Sequence, residues 1–142
     1  MAETQYTLDV DLELEDGAAA ITADGAGSAI LDLDSTAPRT RGDIVLDVSA
    51  MDITTGDETY TIMAQGSSSA TFASTIQELA CIRVGDGSAI SSTIDVNDST
   101  GRFVLPFINE RNGTSYRYLR LYVDVAGTTP SITFKAWLAK TK

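Results

Sequence analysis

The hydrophobic residues near the start of the chain recur at every second position, which is the period of a β-strand with one buried face. Between residues 6 and 15 the even positions are Tyr6, Leu8, Val10, Leu12 and Leu14. The odd positions are Thr7, Asp9, Asp11, Glu13 and Glu15. This strict alternation predicts one strand with an apolar face and an acidic face. Because neighbouring carboxylates on one face repel each other, we expect the strand at a sheet edge or opposite cations.

Further strand patterns follow along the rest of the chain, at residues 28–34, 43–50, 58–65, 92–96, 102–107, 116–125 and 132–138. The segment 72–85 fits a short helix or a strand, and the β-branched residues near its end favour a strand. Pro106 lacks an amide donor, so its strand lies at a sheet edge or ends there. The pair Asn112-Gly113 predicts a tight hairpin turn.

About eight or nine short strands, with no convincing amphipathic helix, predict an all-β fold. We expect an antiparallel β-sandwich or barrel. A length of 142 residues is typical of one domain, and the absence of an internal repeat argues against a propeller or solenoid. We predict an acidic N-terminal segment, residues 1–27, that packs on or extends from a domain spanning residues 28–142.

The charge is uneven along the chain, and this asymmetry limits the classes of partner. The net charge is −10, and residues 1–38 hold nine acidic side chains with no lysine or arginine. Nucleic acids and anionic membranes are disfavoured as partners, since both require a basic surface. The acidic block is either a solvated face that keeps the protein soluble or an arm that pairs with a basic partner surface.

The residue types available for chemistry are few. The chain has no histidine and a single cysteine, Cys81, which excludes histidine-based nucleophile pairs and an intrachain disulfide. Cys81 lies in an apolar stretch and is predicted to be a small buried hydrophobe. A calcium site at Asp9, Asp11 and Glu13 is disfavoured because alternate strand residues lie about 6.6 Å apart. We therefore expect no enzyme activity, no metal and no cofactor.

The predicted strand at residues 116–125 carries a distinctive outward face. Tyr118, Arg120 and Tyr122 alternate along it, and Trp137 faces away from the apolar side of the last strand. Tyrosine, arginine and tryptophan are enriched at binding hot spots, which predicts a protein interface. The same side chains can instead serve as intramolecular cover. A third interpretation is a carbohydrate-binding module in which Tyr118, Tyr122 and Trp137 stack on a sugar.

The C-terminal part of the chain resembles the end of a tailed-bacteriophage capsid cement, or decoration, protein. The resemblance covers about the last seventy residues and is carried between residues 101 and 140 by Gly101-Arg102-Phe103, by the run Tyr116-Arg117-Tyr118-Leu119-Arg120-Leu121, and by Gly127-Thr128-Thr129-Pro130. The resemblance implies a jelly-roll sandwich that assembles as a homotrimer. It also implies a place on the outer surface of an icosahedral head, where the trimer bridges major capsid protein subunits of the HK97-like fold.

These considerations predict a structural virion protein without catalysis, and they name a set of candidate contacts to neighbouring subunits or to the capsid. The set contains Asp9, Asp11, Glu13, Glu15, Tyr118, Arg120, Tyr122 and Trp137. The main alternative is the carbohydrate-binding module. A small glycosidase that uses a carboxylate pair is a weaker alternative, because so many acidic residues make some pair inevitable.

Overall fold

The computed structural model describes residues 10–34, 39–90 and 97–140, with no description of the side chains of Ile90 and Lys140. Within these ranges the structure is almost entirely antiparallel β, as the alternation predicted. The helical parts there are a 3-10 turn at Val10–Leu12 and the short helix α1 at Gly87–Ile90. No helix in the described ranges is long and apolar enough to cross a membrane.

Ten strands are described, and eight of them form two four-stranded sheets that face each other as in a β-sandwich. Sheet A has the order β1-β10-β3-β6, from β1 (Glu13–Glu15), β3 (Arg41–Met51), β6 (Gly101–Ile108) and β10 (Ile132–Lys140). Sheet B has the order β2-β9-β4-β5, from β2 (Gly25–Asp32), β4 (Thr59–Ser67), β5 (Gln77–Gly85) and β9 (Tyr118–Ala126). The other two strands, β7 (Glu110–Arg111) and β8 (Thr114–Ser115), form a small hairpin.

The core lies between the two sheets and is built from the inward half of each alternation. In sheet A, Leu46 of β3 is opposite Ala136 of β10, and in sheet B Ile62 of β4 is opposite Val123 of β9. All four side chains are at most 1% exposed. Because register partners share a face, each such row adds apolar area to the same interior, and removal of that area from water stabilises the sandwich.

Two local predictions are confirmed by the backbone. Pro106 lies in β6, which is an edge strand of sheet A, so no ladder bond is lost to its missing amide. Asn112 and Gly113 join β7 to β8, and both residues have positive φ, at 53° and 79°. Two left-handed residues in a two-residue loop give the turn whose twist matches that of paired strands.

Other predictions need correction or fall outside the described residues. The prediction of one strand over residues 6–15 is wrong at Val10–Leu12, which forms a 3-10 turn, and within the described residues β1 is the part of it that is a strand. Residues 1–9 and the strand predicted at 92–96 lie outside the described ranges. The ambiguous segment at 72–85 forms strand β5 over Gln77–Gly85, so the helical alternative is wrong.

Candidate functional site

The outer face of sheet B gathers three of the predicted contact residues. Tyr118, Arg120 and Tyr122 alternate along β9, and each is half-buried, while the residues between them are fully buried in the core. Across the sheet, Arg120 is opposite Ile30 of β2 and Gln65 of β4. These side chains therefore form one continuous surface, which we call the sheet B face.

Arg120 is the most constrained side chain of the sheet B face. Its guanidinium lies 4.3 Å from the centre of the Phe72 ring and 5.6 Å from the centre of the Tyr122 ring. Its Nε donates a hydrogen bond to the side-chain oxygen of Gln65 at 2.9 Å. Among the described residues its two terminal nitrogens donate no hydrogen bond. The rings thus fix the plane of a cation whose outer edge can still donate two hydrogen bonds.

Phe72 reaches this position through an unusual loop between β4 and β5. Phe72 and Thr75 both have positive φ, at 54° and 55°, although bulky and β-branched residues rarely adopt this conformation. The Ser67 hydroxyl donates to the Ser74 carbonyl at 2.7 Å, and the Ser68 amide donates to the Thr75 hydroxyl at 3.2 Å. These bonds hold the loop, and Phe72 is only 5% exposed as a result. No pattern in the sequence predicted that Phe72 belongs to the sheet B face.

A salt bridge lies at one end of the sheet B face. The guanidinium of Arg117 donates to both carboxylate oxygens of Asp32, at 2.7 and 2.8 Å, and lies 5.2 Å from the centre of the Tyr118 ring. The hydrogen bonds from Arg117 lower the pKa of Asp32 to about 2. Arg117 is therefore occupied within its own chain, in contrast to Arg120.

The sheet B face also carries apolar side chains, next to the polar Thr61, Arg83 and Asp124. Ile30 is 44% exposed, and Met63 of β4 is opposite both Tyr122 and Cys81. Cys81 is exposed, so the prediction of a buried thiol is wrong: the residue lies on the outward side of an edge strand. Partial burial, and then the nearby Glu78, raise the pKa of this thiol, which makes it a slow nucleophile at neutral pH.

Trp137 does not join the sheet B face. It lies on the outer side of sheet A and is 2% exposed, opposite the fully buried Val45. The guanidinium of Arg102 lies 5.3 Å from the centre of the Trp137 ring and forms a two-pronged salt bridge with Asp47. The prediction of Trp137 as a surface contact is therefore wrong. So is the sugar platform that joined it to Tyr118 and Tyr122, because the rings lie on different sheets.

The predicted acidic face of the first strand is not continuous. Glu13 of β1 forms a salt bridge with Lys135 at 3.2 Å, while Asp11 is exposed in the 3-10 turn and Asp9 lies outside the described residues. Glu15 is only 6% exposed. Its carboxylate accepts hydrogen bonds from the amides of Gly17 at 3.2 Å and Ser28 at 2.9 Å.

The register explains the burial of Glu15. The pairing with β10 shifts between Glu13 and Glu15, and such a bulge redirects the side chain that follows it. Loss of contact with water raises the pKa of the Glu15 carboxyl, although the two amide hydrogen bonds oppose this effect. Glu15 is thus a structural link between β1 and β2, and the prediction that it lines an exposed acidic face is wrong.

The described residues offer little else that binds a small ligand. In the ranges 10–34, 39–90 and 97–140 no three acidic or cysteine side chains cluster so as to hold a metal ion. A cavity of about 280 Å³ lies where the edge strands β5 and β6 meet, lined by Arg41, Leu79, Pro106, Phe107 and Ile108. It is separate from the sheet B face and shares no lining residue with it.

No protein-family model matches the chain, and no curated protein matches it either.

Proposed function

We propose that the chain is a structural virion protein, a capsid cement protein that binds the outer face of a tailed-phage head as a homotrimer and bridges major capsid protein subunits of the HK97-like fold. The observation that carries the proposal is the sheet B face, where tyrosine, arginine and isoleucine side chains stand ordered and accessible on a rigid sheet. Such a surface suits a protein contact, which the homotrimer of the proposal requires. The resemblance of the C-terminal strands to cement proteins is the reason for proposing this class of protein.

We further propose that the sandwich is a jelly roll, and the pairing of its strands supports this. Among the eight strands of the two sheets, the first pairs with the last, the second with the seventh, the third with the sixth and the fourth with the fifth. This is the pairing of one long hairpin rolled up on itself, in which the β7–β8 hairpin is an insertion. Rolling a hairpin in this way gives the two Greek keys of a jelly roll.

A cement protein binds through a large contact area and through several copies of the same contact. A rigid trimer that contacts several capsid subunits at once gains affinity from effective concentration, so that weak single contacts add up. If the trimer binds only the expanded lattice, binding stabilises that lattice by mass action against the pressure of packaged DNA. None of this requires a nucleophile, a metal or a cofactor.

The charge of the chain supports a basic partner surface. The net charge is −10, while Glu13 and Glu15 are already used within the fold. The acidic first third as a whole, with nine acidic and no basic side chains in residues 1–38, then supplies the negative charge for a capsid surface rich in lysine and arginine. Attachment of this kind weakens as the salt concentration rises, because salt screens exposed charges.

The test is co-sedimentation of the full chain with expanded, undecorated heads built from the major capsid protein of the same phage. Unexpanded heads serve as the matched control. We expect saturable binding to the expanded heads, weaker at 1 M than at 0.1 M salt, and little binding to the control. Absence of binding to expanded heads at low salt would overturn the proposal. Equal binding at both salt concentrations would overturn only the electrostatic part of it.

A further inference from the structure

We propose that the sheet B face is the contact between copies of this chain, with Arg120 as an anchor that receives a carboxylate of the neighbouring copy. The inference rests on the proposed function for its three-fold assembly and adds which surface builds the trimer. The capsid then contacts other surfaces of the protein.

The sheet B face carries an exposed apolar side chain beside Arg120. Ile30 is 44% exposed at the register position opposite Arg120, and Tyr118, Tyr122 and Met63 are partly exposed around it. An apolar patch on a flat sheet favours permanent cover, since an uncovered one promotes aggregation. A surface that is always covered belongs to the assembly of the protein rather than to an occasional partner.

The guanidinium of Arg120 is held in place before any partner binds. Two rings and Gln65 hold its guanidinium, and a loop with two left-handed residues places one of those rings. Strained backbone of this kind persists where the surrounding structure requires it. Because the side chain is already ordered, little conformational entropy is lost when a carboxylate binds to the two terminal nitrogens.

Charge favours a second copy of the chain as the partner that covers the sheet B face. The chain has twenty acidic and ten basic side chains, so a neighbouring copy presents carboxylates in excess. The capsid surface proposed above is basic, which is the wrong sign for Arg120, whose terminal nitrogens have no hydrogen-bond partner among the described residues. In a three-fold ring the contact joins two different surfaces, so Arg120 faces an acidic part of its neighbour and not another Arg120.

The strands of the face alone give less area than a stable interface of standard size. Four strands spaced about 4.8 Å apart, with a length of nine residues at about 3.3 Å each, give a face of about 19 Å by 30 Å. That is about 570 Å² per protomer, against about 800 Å² for a stable interface of standard size. The loop that carries Phe72 extends the face beyond the strands.

The test measures the mass of the full-length protein by sedimentation velocity over a range of concentrations. The variants are Arg120→Gln and Ile30→Glu, and the matched control is Arg102→Gln, which changes an ion-paired arginine on sheet A. Circular dichroism confirms that each variant is folded. If Arg120→Gln does not fold, Ile30→Glu still decides the question, because Ile30 lies outside the core. Cys81 provides a second readout: its labelling by Ellman's reagent reports whether the face is covered.

We expect a trimer for the wild type and for Arg102→Gln, and assembly weakened about thirtyfold or more for the other two variants, as for hot-spot residues. Cys81 should be labelled slowly in the trimer and faster in Ile30→Glu. The inference is overturned if the wild type is monomeric at all concentrations, or if both face variants assemble like the wild type with equal labelling of Cys81. A trimer that fails to bind expanded heads would instead overturn the proposed function and leave the inference standing.

Discussion

The hydroxyl of Tyr60 links two loops at one end of the sandwich, and its removal provides a measurable test of the fold. Tyr60 is fully buried. Its hydroxyl lies 2.7 Å from the Asp52 carbonyl and 3.1 Å from the Ser131 carbonyl, and it accepts a hydrogen bond from the Ser131 amide at 2.9 Å. Burial raises the pKa of this phenol, so the hydroxyl stays protonated and able to donate.

The substitution Tyr60→Phe keeps the ring in the core and removes these bonds. Each lost hydrogen bond costs about 1 kcal/mol net, and the Ser131 amide loses its acceptor in a partly buried place. We expect the free energy of unfolding to fall by about 2 kcal/mol. At roughly 3 °C per kcal/mol for a domain of this size, the melting temperature should fall by about 6 °C.

The assay is urea unfolding at a fixed protein concentration, followed by the fluorescence of the single tryptophan, Trp137. Tyr116→Phe is the matched control, because the Tyr116 hydroxyl makes no hydrogen bond among the described residues. We expect the control to lie within about 0.5 kcal/mol of the wild type. A Tyr60→Phe variant as stable as the wild type, or a control that loses as much stability, would contradict this role of the hydroxyl.

Three further predictions follow from buried or paired side chains. Glu58 is fully buried and accepts hydrogen bonds from the three backbone amides that precede it. Glu58→Gln should therefore cost about 2–3 kcal/mol in urea unfolding, whereas the exposed Glu78→Gln should cost little. Because the pKa of Asp32 is lowered to about 2, its stabilising effect is complete above its ordinary value of 3.8 and disappears as the pH falls through 2. Unfolding curves of the wild type and Asp32→Asn should therefore converge at that pH, and a constant difference would contradict the assignment. Trp137 should be quenched only slowly by acrylamide in the native protein, and Trp137→Ala should cost about 3–5 kcal/mol, measured by circular dichroism. Rapid quenching would contradict its burial.

The strands were predictable because their cause is local. A strand that buries one face must alternate, and β4, β9 and β10 alternate almost without interruption. The hairpin at Asn112-Gly113 and the edge position of Pro106 depend on the backbone chemistry of single residues, so they too were accessible. The pairing of the first strand with the last was not, because it joins residues more than a hundred positions apart.

The errors arose where a long-range contact decides the outcome. Glu15 belongs to the acidic half of the alternation, but a bulge opposite β10 turns it inward. Trp137 points outward from its sheet, yet Arg102 and the neighbouring row of side chains cover it. Alternation tells which side of a strand a residue lies on, and it contains no information on what covers that side.

The residues of the candidate site could also be predicted only in part. The spacing of Tyr118, Arg120 and Tyr122 placed them on one face, and the structure has them there. Phe72 was missed because its role depends on a left-handed backbone that its residue type disfavours. Ile30 was missed because its register opposite Arg120 depends on the pairing of β2 with β9.

The most direct test of the central claim is the stoichiometry of the chain on expanded, undecorated heads of the same phage, measured by quantitative co-sedimentation. We expect saturable attachment in multiples of three copies per site, together with heads that resist heat better once they are coated. A chain that sediments alone as a monomer, leaves the heads unprotected and binds a small sugar in its place would contradict it.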